Sequence, residues 1–246
     1  MIPPEQGVVR PIRNDRTPVL GSLAIMVATQ VDFEDLRRRM DLPDQRALFL
    51  SRLCYCAADQ DKPVLVGPLM GAPYAVMLME TLRVWGVKRL LFYGWCGSIS
   101  HHIRTGDIIL PDGAIIDEGT SLHYHQQPGA TVHLQGVLRS ALAGAFDRNA
   151  VDYTIGRAWS TDGIFRETPT RIRTFQSKGA VAVEMELSAL ISAALLYAVS
   201  LAAVLVVSDE LSDLKWRPGF NRSDFKKSRR LVCDLLAQIN GKSFHG

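Results

Sequence analysis

The stretch PVLVGPLMGAPYAVMLMETLRVWGVKRLLFYG, residues 63–94, decides the fold class. Residues 63–69 form a short apolar run that is typical of a buried strand. Residues 72–86 then carry apolar side chains at helical spacing and end at Gly86, a common helix stop. A second apolar run, residues 87–94, follows at once. Strand, helix and strand in this order predict neighbouring parallel strands with the helix packed on the sheet.

The same alternation continues on both sides of this stretch. Residues 22–29 predict a strand and residues 31–40 predict an amphipathic helix. Residues 187–207 predict a buried helix followed by a buried strand. We therefore expect a single α/β domain over residues 19–246, with a mixed, mostly parallel, twisted central sheet flanked by helices. Residues 1–18 are polar, contain four prolines and predict an irregular N-terminal arm.

Composition and charge exclude several classes of protein. The 246 residues include 28 Lys and Arg against 25 Asp and Glu, a balance that does not indicate a nucleic acid partner. No apolar run approaches the roughly 18 residues of a membrane helix, so we expect no membrane partner. The four cysteines show no metal-binding spacing, and loop positions are favoured over a metal site for His123 and His125. We expect a cytoplasmic protein with no signal peptide, metal or cofactor.

The carboxyl ends of the predicted strands form the expected ligand edge of the sheet. The first strand delivers Thr29 and Asp32 to this edge. The next two deliver the loops GPLMGAP, residues 67–73, and GWCGSIS, residues 94–100. Glycines let a backbone approach a ligand closely, although in such loops they often serve only the turn. Neither loop fits the dinucleotide-binding motif GxGxxG or the P-loop motif GxxxxGK(S/T). Their absence from these loops argues against an NAD-dependent enzyme and against a P-loop NTPase.

A later strand end carries side chains suited to a flat ligand. This predicted strand ends at Ser160, Thr161 and Asp162, and the loop after it contains Phe165 and Arg166. A hydroxyl, an aromatic ring and an arginine in one loop fit a ligand with polar edges, such as a base. An ordinary helix N-cap at Asp162 fits the same spacing, and the pattern leaves both interpretations open.

Three carboxylates lie in or beside strongly apolar segments. Glu184 and Glu186 interrupt AVAVEMELSAL, residues 180–190. An unpaired buried charge is costly, so these two groups need hydrogen-bond donors or cationic partners. Asp209 directly follows the buried strand that ends in LVVSDEL, residues 205–211. An acid at the mouth of a buried strand is well placed to donate a proton to a ligand.

Five motifs together carry a resemblance to a known family. They are VGPLMGAPYAVMLMETLRVWGVKRLLFYGWCGSI, TGDIILPDGAIIDEGTSLHY, WSTDGIF, AVAVEMELSAL and LVVSDEL. Their order and spacing resemble the nucleoside phosphorylase and nucleosidase superfamily, from about residue 19 to residue 240. This superfamily includes purine nucleoside phosphorylases, uridine phosphorylase and methylthioadenosine nucleosidase. The resemblance implies a partly barrel-like sheet and a site that acts on nucleosides.

The resemblance assigns the VEME motif to the sugar. Glu186 would accept hydrogen bonds from the ribose hydroxyls, Met185 would lie against the sugar, and Glu184 would shape the same turn or the nucleophile side. Such bonds satisfy a buried carboxylate and fix the sugar while positive charge develops at C1′. The structural alternative pairs both glutamates with Arg or Lys in an ion network.

The resemblance assigns Asp209 to the base. It matches the acid that protonates or hydrogen-bonds N7 of a purine, and Arg222 matches an arginine that assists this acid, with Arg217 as the nearby substitute. Pyrimidine-specific relatives carry arginine in place of Asp209, so a purine is favoured over uridine. Arg166 and Arg171 nevertheless lie where uracil-reading residues would be found.

The expected phosphate site departs from the family pattern. A phosphorylase of this family carries G-D-P-x-R after its first strand, whereas this chain reads VATQVDFEDL, residues 27–36. Phe92 and Trp95 stand where an arginine and a Ser or Thr are expected. The candidate residues for binding phosphate or the attacking water are Gly71, Cys96, Gly97, Ser98, Arg52 and Asp32. In an oligomer, Arg46 or Arg52 would come from a neighbouring subunit.

We therefore expect a nucleoside phosphorylase with inorganic phosphate as co-substrate, which yields free base and pentose 1-phosphate. A phosphate-independent nucleosidase is the alternative, because Asp32 falls near the water-activating acid of such enzymes and Trp95 would fill the phosphate volume. A catalytically silent nucleoside-binding module is the third possibility. The resemblance also implies a homo-oligomer, from dimer to hexamer, with sites near subunit interfaces.

Overall fold

The computed structural model describes residues 7–134 and 136–240. The strands are β1 (Leu23–Val27), β2 (Asp44–Leu48), β3 (Ser51–Tyr55), β4 (Val64–Gly67), β5 (Arg89–Ser98), β6 (Ile108–Asp117), β7 (Thr131–His133), β8 (Thr154–Thr161), β9 (Ala180–Glu184), β10 (Ser200–Glu210) and β11 (Arg217–Pro218). The α-helices are α1 (Gln30–Arg39), α2 (Ala72–Val84), α3 (Val137–Arg148), α4 (Pro169–Ser177), α5 (Leu187–Tyr197) and α6 (Ser223–Ala237). Short 3-10 helices span Thr120–Tyr124 and Ile164–Arg166.

Five strands close into a barrel at the centre of the molecule. β5 pairs with β9 and β10, and the ring is completed through β6 and β8. β1, β4, β3 and β2 extend the sheet from β5, whereas β7 and β11 pair with β6 and β10. The long ladders from β5 to β10 and from β6 to β8 are parallel. The fold is thus the expected single α/β domain with a mixed, partly barrel-like sheet.

Helices cover both faces of the extended part of the sheet, and β5 shows how. Leu90 and Phe92 pack in the apolar cluster that contains α2 and α5, whereas Leu91 and Tyr93 pack in the cluster that contains α1, α3 and α6. A strand with two buried faces needs apolar residues at every position. This requirement explains the continuous apolar run that identified the strand in the sequence.

Most long elements confirm the sequence predictions. The strand and helix predicted at residues 63–69 and 72–86 are β4 and α2, and residues 187–207 form α5 followed by β10. Residues 7–18 contain no helix or strand in the structure. The remainder of the predicted arm, residues 1–6, lies outside the described residues, as do residues 241–246 of the predicted domain.

Two segments differ from the prediction. GWCGSIS was predicted as a glycine-bearing loop, but β5 continues through it to Ser98 because β10 pairs along its whole length and β9 pairs at Gly97 and Ser98. In residues 105–125, two strand-like apolar runs with turn signals between them predict two strands. In the structure this segment contains one long strand, β6, with a register shift between Pro111 and Gly113.

The hairpin formed by β2 and β3 was not predicted from the sequence. β2 is exposed along most of its length, and Leu48 is its one buried residue. An edge strand without a buried face has no apolar alternation to reveal it.

The described residues contain no helix that combines the length and the apolar character needed to cross a membrane. Within the same ranges, no group of three or more His, Cys, Asp or Glu side chains is arranged to hold a metal ion. All four cysteines are buried free thiols.

Candidate functional site

A cavity of about 450 Å³ lies where β5, β9 and β10 end together. Gly97 of β5 pairs with Val183 of β9 on one side and with Asp209 of β10 on the other. A Cβ atom on Gly97 would lie 2.6 Å from Leu211 Cδ1, so only glycine fits between these strands without rearrangement. This close packing brings Glu184, at the end of β9, and Asp209 into the walls of one cavity.

A β-bulge aims Asp209 into the cavity. The register between β10 and β5 shifts between Val207 and Asp209, which leaves Ser208 as the extra residue. Bulges of this kind redirect side chains next to functional sites. The Asp209 carboxylate accepts hydrogen bonds from Ser208 Oγ at 2.6 Å and from Trp216 Nε1 at 2.8 Å. Both of its oxygens are thus held in place by donors.

Glu184 organises the turn between β9 and α5. Its Oε2 accepts hydrogen bonds from the backbone N–H groups of Glu186 and Leu187, each at 2.7 Å, and its Oε1 accepts one from Ser160 Oγ. These N–H groups belong to the start of α5, where unpaired donors favour an anion. Burial raises the pKa of Glu184, against the effect of these hydrogen bonds.

Glu186 lies beside Glu184 in the same wall of the cavity. Its Oε1 accepts a hydrogen bond from the Gly71 N–H at 2.6 Å. Burial and the negative charge of Glu184 both raise the pKa of Glu186. Among the described residues neither glutamate forms an ion pair, so the structure does not contain the alternative ion network with Arg or Lys. Glu186 carries a buried carboxyl whose electrostatic environment favours a bound hydrogen-bond donor or a positive charge.

A buried polar network supports this wall from behind. Ser188 donates its Oγ to Glu118 at 2.9 Å and its backbone N–H to Ser160 Oγ at 2.8 Å, while Ser160 donates to Glu184. Glu118 also accepts hydrogen bonds from the backbone and side chain of Ser121. Ser160 is fully buried in this network and does not line the cavity. Glu118 was not predicted as part of the site, although its position directly after the apolar strand β6 could have indicated it.

Aromatic rings form the outer part of the cavity. Phe165 is 95% exposed and Trp216 is 63% exposed, and both line the opening. Phe220 lies between Trp216 and Trp95, with ring centroids at 6.5 and 6.1 Å. Such rings offer flat apolar surface to a planar ligand.

Glu167 is a lining residue that the sequence analysis missed. It follows the 3-10 helix Ile164–Arg166 and faces the same cavity as Asp209. Burial and the negative charge of Asp209 raise the pKa of Glu167 to about 7. The available signal was an acid two positions beyond Phe165 in a loop already expected to cover a base.

Asp32 lies behind the cavity rather than in its wall. It is 1% exposed and accepts hydrogen bonds from Trp95 Nε1 at 2.6 Å and from Thr29 Oγ1 at 2.7 Å. It also forms an ion pair with Arg229, whose Nη2 lies 2.6 Å from Oδ1. The guanidinium of Arg229 stands 5.1 Å from the ring centroid of Trp95. Trp95 thus separates the Asp32–Arg229 pair from the cavity.

The structure gathers some of the predicted site residues and leaves others apart. Those that line the cavity are Glu184, Met185, Glu186, Asp209, Phe165, Cys96 and Gly97. Those outside its lining are Ser160, Asp162, Arg166, Arg222, Gly71, Ser98, Arg52 and Asp32. Burial raises the pKa of the Cys96 thiol well above its usual value and so favours the neutral thiol over the thiolate.

The predicted residues outside the lining have other partners. Asp162 accepts a hydrogen bond from the Gly119 N–H at 2.9 Å. Ser98 donates to the carbonyl oxygen of Ile103 at 2.8 Å. Gly71 is engaged with Glu186, as described above. Arg166 is exposed beside the cavity.

The two predicted arginines, Arg52 and Arg222, lie on other surfaces. Arg52 forms an ion pair with Glu34 at 3.2 Å in a groove beside the β2–β3 hairpin. Arg222 contacts Asp224 at 3.4 Å and lines a separate groove with Arg217, so it does not reach Asp209 in this structure. Asp209 lines the main cavity, whereas the next residue of β10, Glu210, lines that groove.

The charge of the cavity lining is one-sided. Among the residues that the structure describes, the lining contains four carboxyl groups, on Glu167, Glu184, Glu186 and Asp209, and no Lys, Arg or His side chain. A set of acids in a partly dry cavity favours positive charge and opposes an anion.

Comparisons with known proteins give relatives that act on nucleosides. A purine nucleoside phosphorylase of the DeoD type from Clostridium novyi is 30% identical over 147 residues, which covers 59% of this chain and 63% of that protein. The chain thus matches somewhat less than two thirds of that relative's length. An uncharacterised protein, R802, of Acanthamoeba polyphaga mimivirus is 28% identical over 189 residues and 73% of each chain.

Solved structures share the fold over nearly the whole chain. The purine nucleoside phosphorylase of Toxoplasma gondii, in complex with immucillin-H, aligns with a TM-score of 0.80 at 16% identity and covers 95% of this chain and 96% of its own. The uridine phosphorylase of Vibrio fischeri aligns with a TM-score of 0.77 at 20% identity and covers 91% and 93%. A family model described as the phosphorylase superfamily matches residues 22–241. The chain therefore belongs to the phosphorylase superfamily.

Proposed function

We propose that this chain cleaves the N-glycosidic bond of a purine nucleoside and that the acceptor of the sugar is water. The observation that carries the proposal is the lining of the cavity, which combines Glu186 and Asp209 with aromatic rings and, within the described part of the chain, contains no cationic side chain. The expectation from the sequence was phosphorolysis first and hydrolysis second. We place hydrolysis first, because phosphate in this cavity would meet four carboxyl groups and, among the described residues, no cationic side chain.

The sugar is assigned to the wall formed by Glu186 and Met185. The Glu186 carboxylate accepts hydrogen bonds from two ribose hydroxyls, which are donors that satisfy a buried acid. Glu184 holds the turn through the N–H groups of Glu186 and Leu187 and keeps that carboxylate in place. As the bond to the base breaks, positive charge develops at C1′, and the acids of the cavity stabilise it.

The base is assigned to the wall formed by Asp209 and the rings of Phe165, Trp216 and Phe220. Protonation of the purine at N7 by Asp209 makes the base a better leaving group. The C1′–N9 bond breaks, its electron pair goes to the base, and the oxygen of water bonds to C1′. The proton lost by this water replaces the one given by Asp209, so the products are free base and free sugar.

Phosphorolysis is the second candidate, and one surface favours it. Arg46 and Arg52 line a groove that reaches Pro68, and the next residues, Leu69 and Met70, line the main cavity. In a homo-oligomer, arginines from this groove of a second copy would supply the cation that the cavity lacks. Inorganic phosphate would then be the co-substrate and the product would be a pentose 1-phosphate.

The test measures base release from adenosine, inosine and uridine, with and without inorganic phosphate, followed by identification of the sugar product. The expected result is release of purine at the same rate in both buffers, with free ribose as the product. Release that requires phosphate and gives ribose 1-phosphate would establish the second candidate instead. Binding of a nucleoside without any release would identify a silent binding module.

Two variants test the residue assignments in the same assay. Asp209→Asn removes the proton donor and keeps the shape, so purine release should fall by at least about 100-fold with little change in binding. Glu186→Gln keeps an acceptor for the Gly71 N–H but weakens the bonds to ribose, so both rate and affinity should fall by about tenfold or more. Unchanged activity in either variant would refute the corresponding role.

A further inference from the structure

We propose that Glu167 is a base-reading residue that pairs with Asp209 to select 6-aminopurine nucleosides over 6-oxopurine nucleosides. The proposal rests on the proposed function and deepens it, because it names the class of base. It begins from two carboxyl groups in one cavity. Glu167 leaves the loop after the 3-10 helix Ile164–Arg166, whereas Asp209 comes from the bulged end of β10.

The two carboxyl groups differ in what they already bind. Both oxygens of Asp209 accept hydrogen bonds, from Ser208 and Trp216. Among the described residues, no hydrogen bond or ion pair engages the Glu167 carboxyl, which is partly buried and open to the cavity. A partly buried polar group without a partner needs one, and the ligand is the available source.

The charges around Glu167 favour one shared proton in this pair. Asp209 of β10 disfavours a second negative charge, and Arg171 of α4 opposes that effect only in part, because its guanidinium is engaged by Asp117. Two acids that face one site ionise less readily together than either does alone, which favours a proton shared between them. The pair therefore presents one hydrogen-bond donor and one acceptor to the base.

This pattern complements one type of purine edge. The edge of adenine that carries N7 presents an acceptor at N7 and a donor at the 6-amino group, whereas guanine presents two acceptors, at N7 and O6. Hypoxanthine shares the 6-oxo group of guanine. The donor of the carboxyl pair bonds to N7 of adenine, and its acceptor receives a hydrogen bond from the 6-amino group. A 6-oxopurine presents two acceptors to the same pair, so one of these acceptors stays unpaired. An unpaired polar group in a buried site discriminates strongly between such ligands.

The experiment compares adenosine with inosine, whose N7 edges differ only at position 6, in the full chain and in Glu167→Gln. The wild type should show a higher kcat/KM for adenosine. The amide of glutamine donates to O6 as readily as its carbonyl accepts from an amine, so the ratio of the two kcat/KM values should fall at least tenfold. Asp152→Asn, an exposed carboxyl-to-amide change far from the cavity, is the matched control and should leave the ratio unchanged.

Binding measurements separate this inference from the proposed function. The dissociation constants of free adenine and hypoxanthine, measured by calorimetry, report the base preference without turnover. Loss of the adenine preference in Glu167→Gln and in Glu167→Ala supports the inference even where no nucleoside is cleaved. Equal preference in wild type and both variants, or a preference for hypoxanthine in the wild type, overturns it while purine release leaves the proposed function intact.

Discussion

Asp32 illustrates how one residue can match a family position and still have a different environment. Its place in the sequence predicted a residue on the water side of the site. In the structure its carboxylate accepts hydrogen bonds from Trp95 and Thr29 and forms an ion pair with Arg229. Trp95 lies between this carboxylate and the cavity. The sequence could not reveal this, because Arg229 lies almost two hundred positions away in α6. These contacts indicate that Asp32 stabilises the fold.

We therefore expect Asp32→Asn to lower the free energy of unfolding by about 3–5 kcal/mol, because the nearly buried Arg229 would lose its anionic partner. Urea titration followed by circular dichroism measures the change. Asp234→Asn is the matched control. It breaks an exposed pair with Arg39, which is worth about 0–1 kcal/mol. A variant with wild-type stability that had lost base release would instead assign Asp32 to the reaction.

At the scale of single residues, the sequence found the acids that stand alone in apolar surroundings. Glu186 and Asp209 were recognisable because charge is conspicuous in a buried strand or turn. Glu167 was not, because it lies in a polar loop where an acid is unremarkable. Glu167 becomes a candidate only because the fold places it in the same cavity as Asp209 of β10.

At the scale of elements, the site depends on the junction at Gly97, where β5 lies between β9 and β10. A methyl group there would lie 2.6 Å from Leu211 Cδ1, 3.2 Å from Val183 Cγ1 and 3.3 Å from Asp209 Oδ2. The junction positions the cavity acids, so its packing affects stability and activity together.

We expect Gly97→Ala to cost about 1–3 kcal/mol of stability, the range for overpacked cores, and to reduce base release. Thermal unfolding and the nucleoside assay measure these effects. Gly144→Ala is the control, since its Cβ would meet only the end of the flexible Arg148 side chain within helix α3. That change should raise stability by about 0.5–1 kcal/mol. Equal stability of both variants would show that the junction tolerates a side chain.

The elements that the sequence revealed are those with a strong pattern. Helix α2 and strands β1, β4 and β10 have continuous or periodic apolar positions. The hairpin β2–β3 has too few buried residues to be detected. The end of β5 was predicted as a loop because Gly94 and Gly97 are typical of loops. In the structure these two glycines leave room for side chains that pack closely against the strand.

At the scale of the whole molecule, the tip of the β2–β3 hairpin is an apolar surface that the described residues leave exposed. Phe49 and Leu50 are 56% and 90% exposed, and Met70, which also lines the cavity, is 77% exposed. Exposed apolar side chains of this kind, clustered beside a functional cavity, are typical of an interface. The tip is the surface that a second copy would cover in the predicted homo-oligomer.

We expect the wild-type chain to elute as an oligomer in size-exclusion chromatography with light scattering, and Leu50→Asp to shift it to a smaller species. A charge at the tip opposes burial against a second copy. Val137→Asp is the control, because it adds the same charge at the exposed first position of α3. A monomeric wild type, or equal assembly of both variants, would contradict this interface.

Closure of the barrel is the part of the fold that the sequence pattern cannot contain. It depends on pairings between β5 and β10 and between β6 and β8, which join distant segments. Apolar periodicity shows that each strand is buried but not which strand lies beside it. The family resemblance supplied that architecture, and the structure confirms it.

The arrangement of indoles around the cavity gives the protein an optical property of its own. Of the four tryptophans in the chain, Trp95 and Trp216 line the cavity, whereas Trp159 is stacked on Phe175 in the core and Trp85 is nearly buried. Two emitters thus stand at the inner and outer limits of the cavity, one hydrogen-bonded to Asp32 and the other to Asp209. Any molecule that enters displaces solvent from both, so the intrinsic fluorescence of the chain is a label-free gauge of occupancy.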